Sequence, residues 1–429
     1  MAEKKALDTT EEIQDRAILI GLITPEISEP ECAVSLDELT QLAQTAGIDA
    51  SLQLTQSRLA PERATYIGKG KLEEAKAIIE ANDISLAIID GELSPSQIKN
   101  IEDCLDIRTI DRTMLILEIF EAHAHTGEGK LQVEIAKLRY SLPRMTGKGA
   151  DMSRLGGGGG GTAGARRGAG ETKLETERRN AKAHIASLES EIRQLESTRE
   201  QMRSRRKKSG IPNIAIAGYT NSGKSTLLNY LTGAGVLAEN KLFATLDPAT
   251  RKLRLPNGSE ALLTDTVGLI RKLPHQLIKA FRSTLDEINY ADIILLVADA
   301  SDPECQNQLE VASSLLSELG IAETPTVCVY NKIDLIAPGS NVPDPDAAYI
   351  SAATGEGIDG LLFAIQKAIE SLRKPAVFVF PADGKQQGHI SYLYKNASVS
   401  NVEYGDDFTK VWAMADERTC NMYEPYLAT

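Results

Sequence analysis

The chain has 429 residues, 42% of them apolar and 25% charged. That balance excludes a collagen-like or wholly disordered chain and, at roughly 150 residues per domain, suggests about three domains. The formal charge of −13 argues by itself against a nucleic-acid partner, but 18 Lys and Arg stand against 8 Asp and Glu between Lys137 and Lys208. This net +10 leaves −23 for the remainder, so a basic segment lies inside an acidic body.

The five cysteines (Cys32, Cys104, Cys305, Cys328, Cys420) are scattered and form no C-x-x-C pair, which points away from a disulfide framework or a zinc site and toward a reducing compartment. Met1 to Thr10 lacks a hydrophobic stretch of signal-peptide length, and the strongest apolar run, Ile293 to Val297, is far too short to span a bilayer. A cytoplasmic protein without a membrane anchor is expected, and a monomer.

In chain order, Ala17 to Ile23 reads as a strand, Leu36 to Gln44 as a helix and Ser51 to Thr55 as a strand. Leu72 to Ile79 (helix), Leu86 to Ile89 (strand), Pro95 to Asp103 (helix) and Ile107 to Ile110 (strand) continue the alternation. This predicts a small α/β domain over residues 1–112 around a largely parallel sheet.

The period then changes. Leu131, Ile135, Leu138 and Leu142 are spaced 4, 3, 4, and Ile185, Leu188, Ile192, Leu195, Arg199 and Met202 continue a heptad seam. Over residues 113–208 the two seams most simply pair as an antiparallel helical hairpin; the alternative is that each helix packs on a globular core. Pro143 to Gly170 joins them and holds 11 of the 33 glycines, with Arg144, Lys148, Arg154, Arg166 and Arg167 against a lone Asp151. A long loop without regular structure is usually functional or a linker, and a linker needs no arginines. Glycine permits close backbone approach while Arg and Lys meet phosphates, so those five basic residues are read as RNA contacts, with a solvated spacer as the alternative. Replacing Arg166 and Arg167 is expected to weaken binding in a salt-dependent way.

Residues 209–374 carry the chemistry. Asn213 to Ala217 is a buried-strand pattern running into Gly218-Tyr-Thr-Asn-Ser-Gly-Lys-Ser225, a G-x-x-x-x-G-K-[ST] in strand-loop-helix context. Its glycines let backbone N–H groups turn around phosphate oxygens at a helix N-terminus. Lys224 would meet the β- and γ-phosphates, and the Ser225 hydroxyl would ligate Mg²⁺. Leu262 to Asp265 then opens into Asp265-Thr-Val-Gly268, where Asp265 can hold Mg²⁺ through water and the Gly268 amide can sense the γ-phosphate. Val327 to Tyr330 opens into Asn331-Lys-Ile-Asp334, and a carboxylate at Asp334 can accept from guanine N1–H and its 2-amino group, donors that adenine lacks. Tyr349-Ile350 leads into Ser351-Ala352, where a main-chain N–H meets the guanine carbonyl.

The nucleotide-lining residues so predicted are Gly218, Tyr219, Thr220, Asn221, Ser222, Gly223, Lys224, Ser225, Thr226, Asp265, Thr266, Val267, Gly268, Asn331, Lys332, Asp334, Ser351 and Ala352. In Lys241 to Thr250, Thr245 is the preferred Mg²⁺ ligand of the GTP state, with Thr250 as fallback. Lys224, Thr245 and Gly268 are the predicted catalytic set. One residue departs from the common pattern: after D-x-x-G many GTPases place a water-orienting Gln, and here stands Leu269. Slow intrinsic hydrolysis is expected, with the missing group supplied by the switch backbone, a cation or a partner. Asn221 is a candidate K⁺ ligand, or it only shapes the loop. Residues 375–429 read as a small strand-rich α+β domain, with β-like runs at Val377 to Phe380, Tyr392 to Tyr394 and Lys410 to Met414.

The nucleotide motifs resemble the translation-factor-related GTPases. Narrower likeness lies in His123 to Arg144, in Arg167-Gly-Ala-Gly-Glu-Thr-Lys-Leu-Glu-Thr-Glu-Arg-Arg179, in Tyr66-Ile-Gly-Lys-Gly-Lys71 and in Leu242-Phe-Ala-Thr-Leu-Asp-Pro248, which together resemble the HflX-type GTPases. The run Gly156 to Gly161 and Ala249, where Thr is commoner, depart from the usual pattern. The resemblance implies a factor that binds the large ribosomal subunit and its rRNA. The loop between its paired helices reaches into the peptidyl-transferase region, GTP-bound members split stalled or idle ribosomes, and ribosome contact stimulates hydrolysis. Two other readings are a GTPase of large-subunit assembly or RNA modification, and a non-catalytic GTP-sensing scaffold. Adenine nucleotides have been linked to the family's N-terminal domains, but no ATP-specific motif accompanies Gly68 to Lys71.

Overall fold

A computed structural model describes residues 15–146, 175–197, 211–233, 242–243, 248–272, 287–321, 323–336, 344–382, 384 and 386–428. Its contacts divide the chain into two compact units, one holding the described residues up to Glu189 and the other those from Ser190 onward.

In the first unit the alternation closes into an all-parallel sheet. Strands β1 (Arg16–Ile23), β2 (Asp49–Ser57), β3 (Leu86–Ile89) and β4 (Arg108–Asp111) take the order β2-β1-β3-β4. Helices α1 (Glu29–Thr45), α2 (Lys69–Asn82) and α3 (Pro95–Leu105) make the crossovers. Capping boxes start two of them: Ser28 with Glu31 for α1, and Ser94 with Gln97 for α3, each followed by Pro. On β1, Ile18, Ile20 and Leu22 face the apolar sides of α2 and α3, as period-two alternation requires.

Helix α4 (Arg112–His123) was not expected. It starts on Asp111, whose side chain accepts from Met114 N–H at 2.9 Å, and buries Arg112, Leu115, Ile116, Leu117, Ile119 and Phe120. Burial all round erases the stripe that periodicity detects. Buried with it is Arg112, whose guanidinium bridges Glu38 at 2.8 Å and Asp90 at 3.0 Å.

Helix α5 (Gly127–Ser141) and helix α6 (175–197) occupy the two predicted helical stretches. Their burial follows the predicted seam only in part: Ile135, Ile185 and Leu188 are buried. On α5 the buried residues are Gly129, Gln132, Val133, Ile135, Ala136 and Tyr140, while Leu131, Leu138 and Leu142 are only half-buried. Helix α5 packs against α4. On α6, Ala181, Ile185 and Leu188 are buried, Ile192 is half-buried and Leu195 is 40% exposed. Pairs Glu134–His184 at 2.9 Å and Arg139–Glu189 at 2.6 Å link the two helices.

The second unit contains a six-stranded sheet with the order β10-β9-β8-β5-β7-β6, where β5 is Asn213–Gly218, β6 Ala249–Arg254, β7 Glu260–Asp265, β8 Ile293–Asp299, β9 Thr326–Asn331 and β10 Ala348–Tyr349. Only the β6–β7 pair is antiparallel. Helices α7 (Lys224–Thr232), α8 (Cys305–Glu318) and α9 (Ile358–Ser371) cover it. In its core Ile214 and Ile216 meet Leu227, Leu263, Leu295, Val329 and Leu361. After α9 comes an antiparallel sheet β11-β13-β12, made of β11 (Lys374–Pro381), β12 (Ser398–Tyr404) and β13 (Phe408–Ala415). Helix α10 (Gln386–Asn396) packs Ile390 and Leu393 on it, and α11 (Glu417–Met422) follows. Tyr392 to Tyr394, expected as strand, lies in α10: the tyrosine alternation mimics period two, but the buried pair Ile390 and Leu393 has helical spacing.

Candidate functional site: the nucleotide loop and its three companions

The parallel strands β5, β8 and β9 end side by side, and their C-terminal loops converge there, where open α/β sheets place ligands. After β5, residues Gly218 to Gly223 wrap over the start of α7. Gly223 has φ +88, and a Cβ there would lie 2.2 Å from Asn331 Nδ2. Asn221, at φ +59, stands exposed at the crest, a conformation Asn tolerates. Lys224 is buried and donates to the carbonyls of Gly218 at 3.2 Å and Tyr219 at 2.6 Å. Burial pushes its ammonium down to about 8, opposed by Asp265. A phosphate beside it would favour the charged form. The Thr220 and Ser222 hydroxyls are buried in the same loop without a hydrogen-bond partner among the described residues.

The edge of β7 contributes Asp265, fully buried, which accepts from the Ser225 hydroxyl at 2.7 Å. Hydroxyl and carboxylate oxygens paired in this way suit a hard divalent cation. Thr266 is spent on the fold, donating to Ile216 O at 2.7 Å, and Val267 is buried. From β9, Asn331 holds three motifs together, donating to Ser222 O at 2.8 Å and accepting from Ala352 N–H at 2.9 Å. Lys332, at φ +66, pairs with Asp299 at 2.6 Å, and Asp334 lies exposed in the short turn Ile333–Leu335.

Several placements differ from expectation. The Ser351 and Ala352 amides, read as base contacts, donate inside the protein, to Glu356 O at 2.9 Å and to Asn331 Oδ1. Here they brace Asn331 and the loop. Thr250, the fallback Mg²⁺ ligand, sits in the β6–β7 ladder with its hydroxyl 3.0 Å from that of Thr264. Thr245, Lys148, Arg154, Arg166 and Arg167 lie outside the described residues.

Arg144, expected to meet RNA, is held within the first unit. Its guanidinium lies 3.4 Å from the Tyr140 ring centroid, donates to Tyr140 O and Leu93 O at 2.7 Å, and reaches Asp111 at 3.4 Å. Asp111, fully buried, also accepts from the Tyr140 hydroxyl and from Leu93 N–H. A buried carboxylate attracts the nearest guanidinium more strongly than solvent does, which the sequence does not show. Replacing Arg144 by Ala is therefore expected to cost ~1–3 kcal/mol in chemical denaturation and to leave GDP affinity unchanged.

Asp299, Tyr219, Arg271 and Glu304 are the residues that sequence reasoning left out of their roles. Tyr219 is expected to line the nucleotide; its hydroxyl accepts from Arg271 N–H at 2.7 Å, and the Arg271 guanidinium meets Glu304 at 2.6 Å. Among the described residues no cluster of His, Cys, Asp and Glu forms a separate metal site, and no helix is long and apolar enough to cross a membrane.

A phosphate loop, a buried aspartate at the neighbouring strand end and an Asn-Lys-x-Asp turn on one sheet edge define a P-loop GTPase, which binds GTP and GDP and hydrolyses GTP. Residues 33–121, 123–206 and 213–332 match, in turn, the families described as GTP-binding GTPase N-terminal, GTP-binding GTPase Middle Region and 50S ribosome-binding GTPase. The GTPase HflX of Caldanaerobacter subterraneus subsp. tengcongensis is 47% identical over 413 residues, 96% of this chain and 92% of that one. The GTPase HflX of Escherichia coli K12 is 39% identical over 361 residues, 83% of each chain. The chain belongs to the HflX GTPase family. A GTP-binding protein from Sulfolobus solfataricus, solved with GDP, is 25% identical, with a TM-score of 0.44, over 84% of this chain and 100% of that one.

Proposed function

We propose that this GTPase binds the large ribosomal subunit and its rRNA and uses the GTP state to dissociate stalled or idle ribosomes, with hydrolysis stimulated by the ribosome. One observation carries the reading: a domain matching the 50S ribosome-binding GTPases has Leu269, not Gln, after its D-x-x-G, and Leu269 is 2% exposed. A buried leucine cannot orient water, so efficient turnover requires help from outside the side-chain set. A net +10 between Lys137 and Lys208 supports an RNA partner, while the acidic remainder keeps the factor off RNA in general.

At the site, Lys224 and the loop amides hold the β- and γ-phosphates, Asp334 selects guanine, and Asn331 locks the base loop to the phosphate loop. Mg²⁺, when bound, neutralises charge on the β- and γ-phosphate oxygens; Ser225 and Asp265 hold it, with Thr245 completing the set in the GTP state. Gly268 carries the γ-phosphate signal into the segment that follows. Asn221 would offer its amide oxygen to K⁺, which would supply positive charge toward the phosphates; this predicts faster turnover in K⁺ than in Na⁺ and no difference between the two in an Asn221→Ala variant.

Co-sedimentation separates this reading from a role in assembly. With a non-hydrolysable GTP analogue the factor is expected to pellet with mature large subunits and to shift intact ribosomes toward free subunits in a gradient. Binding only to precursor particles would contradict it.

A further inference from the structure

The segment just after D-x-x-G is tied to the phosphate loop by both backbone and side-chain hydrogen bonds. Leu269 bridges to Tyr219 as a parallel extension of β5: Thr220 N–H donates to Leu269 O at 2.9 Å, and Leu269 N–H donates to Gly218 O at 3.0 Å. Two residues on, the Tyr219 hydroxyl accepts from Arg271 N–H at 2.7 Å. The Arg271 guanidinium then reaches Glu304, just ahead of α8, at 2.6 Å, and Asn307 steadies the same carboxylate oxygen at 2.9 Å. The Asn307 amide, and after it the Arg271 guanidinium, hold the Glu304 carboxyl below its usual range.

This tie closes over the γ-phosphate's own contacts. Gly268 packs so tightly that an added Cβ would lie 2.6 Å from Thr220 Cγ2 and 3.1 Å from Lys224 Nζ. The Lys224 ammonium is turned onto the Gly218 and Tyr219 carbonyls. A γ-phosphate on Lys224 has to take the lysine from those carbonyls and lift Gly268 away, which strains the Leu269 ladder and the Arg271 bond. The β-phosphate of GDP draws on Lys224 as well, but GDP ends there and leaves Gly268 and the Leu269 ladder in place.

We infer that Tyr219, Arg271 and Glu304 form a clasp that holds the switch after Gly268 on the phosphate loop, sets GDP above GTP in affinity, and yields when the γ-phosphate enters. None of the three needs to touch reacting atoms through its clasp contacts, so they are positioning residues. The ligand's differential affinity for clasped and open states sets how far it shifts them. Weakening the clasp therefore raises GTP-state affinity and leaves GDP affinity alone. This rests on Lys224 and Gly268 being the γ-phosphate contacts.

The test uses the full-length protein with Arg271→Met, which removes the guanidinium and its ion pair, and Glu304→Gln, which keeps the Asn307 bond but removes the charge. Affinities for GDP and for a non-hydrolysable GTP analogue are measured by fluorescence titration, with thermal unfolding as the check on folding. Each variant is expected to bind the analogue ~3- to 10-fold tighter, tenfold being about 1.4 kcal/mol, with GDP affinity unchanged. An unchanged ratio, or analogue binding that weakens while GDP binding holds, would overturn the clasp and leave the nucleotide reading standing. Loss of GDP binding in the wild-type chain would instead overturn the nucleotide reading itself.

Discussion

Asp334→Asn is expected to lower GTP affinity by ~10- to 10²-fold, since the bond from the guanine 2-amino group to the carboxylate, worth ~1.5–3 kcal/mol, is lost. It is also expected to create affinity for xanthosine triphosphate. The carboxylate accepts from guanine N1–H and the 2-amino group. An asparagine amide still accepts from N1–H, but its NH₂ donates, and xanthine offers an oxygen at that position. The exposed turn Ile333–Leu335 lets the side chain change without disturbing the core, while Asn331 stays fixed by Ser222 and Ala352. Competition of the two triphosphates against labelled GDP checks it; equal losses for both bases would mean that Asp334 does not read the base.

Gly223→Ala is the second large effect. At φ +88 a side chain costs ~1–3 kcal/mol, and its Cβ would fall 2.2 Å from Asn331 Nδ2. Asn331 cannot step aside cheaply, because it bonds Ser222 O and the Ala352 amide at once. Breaking either bond adds ~1–3 kcal/mol, so nucleotide affinity is expected to fall by ~10²-fold or more. Thermal unfolding without nucleotide is expected to move down by that strain, and the further stabilisation by GDP should nearly vanish.

How much of this was legible in the sequence depends on whether a signal is local. The strands of the first unit and the loops after β5, β7 and β9 follow from runs of neighbouring residues, and their alternation dictates parallel sheets. Helix α4 was hidden because burial all round leaves no stripe. Tyr392 to Tyr394 misled because tyrosines two apart look like one face of a strand, although Tyr392 is half-buried and Tyr394 exposed. On α5 the leucine spacing suggested a seam, whereas Val133, Ala136 and Tyr140, with Gln132, turn inward. A small or polar residue on a buried face carries little hydropathy signal.

In the site, the residues that bear on phosphate and base were readable because each motif is contiguous. What was not readable joins distant positions: Asp299 to Lys332, Arg271 to Glu304, Arg144 to Asp111. Arg144 shows the physical reason. From composition it is one more basic residue in a glycine-rich loop; in the fold a fully buried carboxylate lies within its reach and claims it.

The account's central claim is that a GTPase with Leu269 after its D-x-x-G is slow alone and completed by the ribosome. Steady-state GTP turnover, measured with and without purified large ribosomal subunits in K⁺ buffer, tests it most directly. A low basal rate that rises steeply and saturates with added subunits is the predicted result. A rate that subunits leave unchanged, whether fast or slow, would contradict it.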